Sequence, residues 1–405
     1  LVVNSHVFRA LRHRNFRRFF LSQAVSILGT WLQQIALSWL VYRTTGSAFL
    51  LGVVMFANQG PILFIAPLSG LLADRFDRRR LLIFTQSLAA LQAALLAALT
   101  LSGAIEVWHL VTLAVLYGIA MGLDAPVRHS LFIEMLTDRK DLPNAIALNS
   151  FLMNAARLVG PSIAGVALLF ISEGVCFALN ALSYLAVLWV AYGLPNPPRS
   201  PGSRVSGYAA ALTEAAAHAW RDRTIRYLLM LVACTAFFGS SYMVLMPVFA
   251  RDIFGGGSEI LGFLVGAAGL GAVGGTSYLA ARGAPNPLAK RLMFATTMAG
   301  LALAAVGVTR TLWLALPLMA CVGFGIIVTA ASANIIVQTT APDDKRGRII
   351  SFYAAAFLGV MPLGGLAAGA LASQMGAPAT AVAFGGCCLL AGLAIGSRLR
   401  NLPAG

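Results

Sequence analysis

The stretch Gly70-Leu71-Leu72-Ala73-Asp74-Arg75-Phe76-Asp77-Arg78-Arg79-Arg80 sets six charges between two long apolar runs, Phe49–Ala73 and Leu81–Ser102. Each run approaches the roughly 20 apolar residues that carry an α-helix across a bilayer. Charges so dense do not belong in hydrocarbon, so the stretch reads as a tight, water-facing turn between two membrane spans.

The rest of the chain repeats that alternation. Its 405 residues are 59% hydrophobic and only 11% charged, against roughly 25% charged in soluble domains, and the mean hydropathy is +0.82. Apolar runs of spanning length lie near Phe16–Tyr42, Phe49–Ala73, Leu81–Ser102, Val107–Leu123, Ala145–Ser172, Val175–Leu194, Tyr227–Ala250, Ile260–Arg282, Leu292–Val308, Leu312–Val337, Ile349–Gln374 and Ala379–Ser397, twelve in all. The expected fold is an all-α polytopic membrane protein.

A net charge of +15 would suit a nucleic-acid binder, but the distribution of its 29 Lys and Arg argues otherwise. Arg43, Arg251 and Arg310 fall in connections on one side, Arg128 and Arg157 lie within or at the edge of spans, and the remaining 24 fall on the other side. That asymmetry is the positive-inside pattern and predicts cytoplasmic termini. The basic excess then reflects topology and attraction to anionic lipid, and no nucleic-acid partner is expected. Cys176, Cys234, Cys321, Cys387 and Cys388 lie in or at the edges of spans without metal-ligand spacing, so they read as packing residues and no metal or cofactor is expected. The apolar run after Arg17-Arg18 is too long for a signal peptide and is expected to stay as the first helix. Ahead of it, Val7–Phe20 interleaves Arg with Phe and Leu as an amphipathic segment on the membrane face does.

Polar residues inside spans are the informative ones. The first span carries Gln33 and Gln34 to mid-depth and the second Asn58 and Gln59, where amides either line a cavity or bond between helices. The fourth span ends in Asp124-Ala125-Pro126, just before Arg128. In the fifth, Asn149, Asn154 and Arg157 would lie in the membrane, with Arg157 near the bilayer centre. An Arg there either locks helix packing or lines a cavity or gate and attracts an anion. A G-x-G-x-x-G pattern at Gly269–Gly274 sits inside a span with no strand before it, so no nucleotide site is read there.

The one long break in the apolar pattern, Pro195-Asn196-Pro197-Pro198-Arg199-Ser200, opens a linker that continues through a helical, basic-ended stretch to Arg226. Across it the chain repeats. Ser150-Phe151 with Pro161 recurs as Ser351-Phe352 with Pro362, and Leu51-Gly52 recurs as Leu261-Gly262. The charged turn does not recur intact, since Arg282–Pro287 keeps no acid. The expected organisation is an N-terminal segment 1–15, a six-helix half 16–194, a linker 195–226, a second six-helix half 227–398 and a tail 399–405.

The motif Gly-x-Leu-Ala-Asp-Arg-x-x-Arg-Arg, here GLLADRFDRRR, resembles the loop between the second and third helices of the major facilitator superfamily. The runs VRHSLFIEML, Gly160-Pro161 with Gly165, and APDDKRGRIISFY resemble the branch holding enterobactin exporters and macrolide efflux pumps, over nearly the whole chain. The resemblance implies the major facilitator fold, twelve helices in two pseudo-symmetric halves. It also implies export of small amphipathic molecules, siderophore or drug-like, by alternating access, in the bacterial inner membrane and without enzyme activity. It implies a conformational latch of Gly70, Asp74, Arg75, Arg78, Arg79 and Arg348, and helix packing through Gly160, Pro161, Gly165 and Pro362. The expected cavity lining is Trp31, Gln34, Asn58, Gln59, Asn154, Arg157, Phe237, Phe238, Tyr242, Asn334, Tyr353 and Phe357, aromatics and amides on the spans that line the cleft in this fold. No carboxylate lies clearly at mid-membrane, which leaves Asp124, Asp74 or the cargo's own charge as proton carriers. The expected partners are a small-molecule substrate and membrane lipids, with the protein a monomer. A lipid or lysolipid flippase and a nutrient-uptake permease are the other readings. An intramembrane enzyme is disfavoured, because His6, His13, His109, His129 and His218 all fall near or outside the membrane surfaces.

Overall fold

The computed structural model describes residues 8–75, 77–136, 138–194, 208–282, 288–342 and 345–400. Within these, the side chains at 66–75, 125–126, 129–130, 132–134, 139, 208–212, 282, 288–289 and 400 are outside the description. The linker residues 195–207, the loop 283–287 and Asp343 and Asp344 lie outside the described residues altogether.

The described chain is helical: α1 (Arg14–Thr45), α2 (Ala48–Arg75), α3 (Arg78–Leu101), α4 (Val107–Met135), α5 (Leu142–Ala167), α6 (Glu173–Tyr192), α7 (Tyr208–Arg221), α8 (Arg223–Cys234), α9 (Tyr242–Val248), α10 (Ser258–Arg282), α11 (Leu288–Val308), α12 (Leu312–Thr340), α13 (Arg346–Ala354) and α14 (Val360–Arg400). Ten stretches of these residues are long and apolar enough to cross a membrane. The last of them is two helices joined at Gly376, whose φ of +84° breaks the helical path as only glycine does readily. With α5 this accounts for the twelve expected spans. Single π-helical turns at Thr235–Gly239 and Ala355–Gly359 interrupt the runs from α8 to α9 and from α13 to α14, and a third, Phe249–Ile253, ends the run after α9.

Helix ends fall where side chains can satisfy them. Asp77 caps α3 by accepting from the Arg80 amide at 3.0 Å, and Asp222 caps α8 by accepting from the Ile225 amide at 2.9 Å. Glu106 and His109 form a reciprocal box at the start of α4.

The chain divides into two compact units, Leu1–Val41 with Ala57–Ser203 and Tyr42–Phe56 with Arg204–Gly405. In the first unit α3 packs on α4 and α6; in the second α10 and α11 pack on α12, and α11 on α14. The end of α1 and the start of α2 thus belong to the second unit. There Gly52 and Gly369 let two backbones meet: a Cβ on Gly369 would lie 2.5 Å from the Ala48 carbonyl and 3.1 Å from the Gly52 Cα. The Tyr42 hydroxyl donates to Asp252, and Arg251 lies 5.6 Å over the Tyr42 ring.

Three expectations from sequence are corrected. The charged stretch is not a turn from Gly70: α2 stays helical through Arg75, and α3 begins at Arg78. The fourth helix does not end with its span at Asp124, because α4 runs on to Met135 through Pro126. The N-terminal segment does not lie as a surface anchor. Phe16 and Phe19 are 1% and 0% exposed and pack with Ala10, Leu82, Val127 and Leu131 in the core of the first unit. Its backbone is tied down as well, since Asn144 accepts from the Ala10 amide at 2.9 Å and His13 meets Asp141 at 2.9 Å.

Candidate functional site

In the first unit, α1, α3, α4 and α6 put polar side chains face to face in the interior. Gln33 donates to Gln92 at 3.0 Å and accepts from Asn180 at 2.8 Å, and Ser183 donates to the Asn180 side chain at 3.0 Å. The Tyr184 hydroxyl is 3.5 Å from Thr30. These amides are fully bonded between helices, which is how a polar group survives where neither water nor lipid can satisfy it. Gln33 therefore serves packing rather than a cavity.

Two turns along α4 from Tyr117 the seam meets a charge. Asp124, 1% exposed, accepts from Thr85 at 2.9 Å and from Gln86 at 2.7 Å. The Arg128 guanidinium, one turn on, donates both to Asp124 and to Gln23. An Asp and an Arg four apart share one helix face, so the pair neutralises itself and lets α4 continue. The cluster is not saturated: Gln23 Nε2, Gln86 Oε1 and Arg128 Nε are buried without a partner. These orphan atoms can take up a rearranged bond, for instance Gln86 accepting from a protonated Asp124.

The expected cavity residues fall as follows. In the first unit Trp31 lies under Gly160, where a Cβ would come within 2.6 Å of the indole, so that glycine and that ring form one contact. Pro161 and Gly165 are buried beside it in α5. Gln34 is half-buried, and its carbonyl accepts from Ser38 at 3.0 Å. The Asn58 carbonyl lies against Gly118 of α4, and Gln59 is half-buried beside it. Asn154 donates back to Ser150 of its own helix at 2.8 Å. Arg157 is exposed and makes no hydrogen bond or ion pair among the described residues.

In the second unit Phe237 stacks on Phe384 and Phe238 meets it edge-on, ring centroids 6.0 and 5.3 Å away. Tyr242 is half-buried at the start of α9. Tyr353 is buried and donates to the Ala330 carbonyl at 2.8 Å, and Asn334 accepts from Gln338. Phe357 packs against that group from the π-helical turn, and Pro362 is the third residue of α14.

Of the expected latch, Arg79 donates to the carbonyls of Ala191, at 2.9 Å, and Tyr192, where it closes the C-terminus of α6. Arg78 opens α3, and Arg348 in α13 adds to the positive field on Glu214. Gly70, Asp74 and Arg75 belong to the last turns of α2, and their side chains lie outside the described residues.

The residues that sequence reading missed are Gln23, Thr85, Gln86 and Arg128. The available signal was a Thr-Gln pair inside an apolar run and an acid and base four apart. No group of three or more possible metal ligands occurs among the described residues.

Comparison with known proteins gives a consistent picture. Residues 5–405 match the family model described as transmembrane secretion effector. The chain is 31% identical over 269 residues to the staphyloferrin A transporter of Staphylococcus aureus, covering 64% of this chain and 66% of that protein. It is 26% identical over 371 residues to the multidrug efflux pump Tap of Mycolicibacterium fortuitum, covering 88% of each. Among solved structures, a bacterial homologue of the iron transporter ferroportin in an inward-facing state superposes with a TM-score of 0.76 at 14% identity, over 96% of this chain and 99% of that one. The nucleoside transporter NupG does so with a TM-score of 0.70 at 14% identity, over 96% and 100%.

Proposed function

The chain belongs to the transmembrane secretion effector family of the major facilitator superfamily, and from that premise we propose that it exports small amphipathic molecules in exchange for protons. It is a multi-pass membrane transporter and not an enzyme. Its cargo is siderophore-like or drug-like, in keeping with relatives named for a siderophore and for multidrug efflux. It works as a monomer in the bacterial inner membrane with both termini cytoplasmic, an orientation supported by the crowding of Lys and Arg on one side. Residues 16–194 and 227–398 are the two halves that alternate, and the latch around Asp74 is assigned on sequence alone.

The observation that carries the coupling is Asp124, a buried carboxylate in a span, held to Arg128 and ringed by unpartnered polar atoms. A proton arriving on Asp124 removes the charge that holds Arg128, and Gln86, which now donates to Asp124 through Nε2, can turn its amide and accept the new hydroxyl at Oε1. Arg128 is then released to find another anion or water. Arg157, free of ion pairs among the described residues, supplies a second positive charge suited to an anionic cargo.

Everted vesicles energised by a pH gradient, offered a catecholate siderophore, a macrolide or a lysophospholipid, test this reading. The expected result is gradient-dependent accumulation of the siderophore or the macrolide. Asp124→Asn should abolish the dependence on the gradient while leaving exchange of labelled for unlabelled cargo intact. Redistribution of the lysophospholipid alone, without a gradient, would replace the exporter by a flippase.

A further inference from the structure

We infer that a groove in the second unit, bounded by α7, α8 and α13, holds one anionic phospholipid. The groove encloses about 480 Å³, and its walls are apolar apart from Arg226. Leu229, Met230 and Phe352 form its sides, and alanines such as Ala219, Ala233 and Ala356 leave the space between them. It begins where α8 begins, and Arg223 opens a membrane span. From Arg226 to Ala233 it runs inward along α8 by about 10 Å at 1.5 Å per residue. An apolar slot that starts at the polar end of a span and runs into it has the shape of an acyl chain's upper half.

The mouth specifies the headgroup. The Arg226 guanidinium lies 5.8 Å over the Trp220 ring and 5.2 Å over the Tyr227 ring, and donates to the Trp220 carbonyl at 3.0 Å. Stacked this way it is held at the rim and keeps further N–H groups for a ligand. Arg221 and Arg223 are exposed at the same junction, and Arg398 reaches the Tyr227 ring at 5.8 Å. Two acids nearby among the described residues are already used, Asp222 as the cap of α8 and Glu214 in an ion pair with Lys345 at 2.8 Å. The mouth is therefore positive, and guanidinium groups match a phosphate by paired N–H donors. Trp220, 69% exposed, has the amphipathic ring that favours the headgroup level. A basic pocket between helices at the membrane surface is the chemistry that recognises acidic headgroups.

Native mass spectrometry of the detergent-purified protein, titrated with dioleoyl-phosphatidylglycerol or dioleoyl-phosphatidylcholine, tests the site. One phosphatidylglycerol should be retained at roughly tenfold lower concentration than phosphatidylcholine, about 1.4 kcal/mol. Arg226→Gln should erase that preference, and Arg310→Gln, at a connection away from the groove, should keep it. Ala356→Leu, which fills the slot, should weaken retention of both lipids. Brominated phosphatidylglycerol should quench Trp fluorescence, and Trp220→Phe should remove that component. Equal retention of both lipids, or an unchanged preference in Arg226→Gln, would overturn the proposal. So would displacement of the lipid by transported cargo, which would assign the groove to transport.

Discussion

The interiors of the two units are built on opposite terms. The first buries Gln23, Gln33, Gln86, Gln92, Asn180 and the Asp124–Arg128 pair, with helices joined by side-chain hydrogen bonds. The second joins its helices by backbone contact. A Cβ on Gly271 would fall 1.8 Å from the Ala320 carbonyl, and one on Gly323 would fall 1.8 Å from the Ala268 carbonyl, so α10 and α12 touch through two glycines. Where α11 meets α12, a Thr296–Thr329 hydroxyl pair at 2.9 Å adds a polar contact. Polar bonding can be rearranged by a proton, whereas backbone contact cannot. The joints of the first unit are thus directional, made by side-chain hydrogen bonds, and those of the second are steric.

The contrast can be broken from either side. The largest effect is expected from Asp124→Ala, which strands Arg128 and leaves Thr85 and Gln86 without their acceptor. Removing one partner of a buried pair costs about 3–5 kcal/mol. The thermal midpoint of the purified protein should fall steeply, and Asp124→Leu combined with Arg128→Met should recover much of it. If the single variant is as stable as the parent, the seam carries no charge worth protecting. A smaller loss, about 1–3 kcal/mol, is expected for Gly323→Ala, because overpacking forces backbones apart. The same replacement at Gly386, where an added Cβ meets nothing within 4 Å, should be neutral and so separates overpacking from a general intolerance of alanine.

The smallest effect concerns α7. The Lys345 hydrogen bond and charge, aided by Arg348 and His218, hold the Glu214 carboxyl below its ordinary 4.5. A depressed acid contributes stability that is present above the unfolded value and is lost as pH falls through the folded one. The hold of α7 on α13 should therefore weaken below about pH 4.5, read as faster proteolysis of the α7 segment. The pair is exposed, so 0.5 M salt should blunt the effect.

Much of the fold was legible because membrane spans declare themselves locally. Apolar length, charged connections and the recurrence of Ser-Phe with a later Pro gave twelve helices and two halves without any tertiary knowledge. The errors came where a local sign had a non-local answer. Asp-Ala-Pro-Val-Arg reads as the end of a helix, yet α4 continues because Thr85, Gln86 and Gln23 from α3 and α1 satisfy its charges. Phe16 and Phe19 read as a membrane-surface face, yet Leu82 and Val127 cover them. Tyr353 reads as a cavity residue, yet its hydroxyl is taken up by the Ala330 carbonyl, 23 positions earlier, which no linear pattern shows. Arg157 was singled out by cost alone, and its lack of an ion pair among the described residues keeps it a candidate for cargo.

The hairpin Tyr42–Phe56 has a bearing on how the protein is made. It belongs to the second unit, and its Tyr42 meets Asp252, 210 positions later in the chain. During synthesis this piece emerges early and waits through the whole first unit for its seat between Asp252 and Gly369. The last joint to close is thus made from one of the first parts delivered. Cutting the gene at the linker would give a C-terminal fragment missing its own wedge, and co-expression of the N-terminal fragment would be needed to complete it.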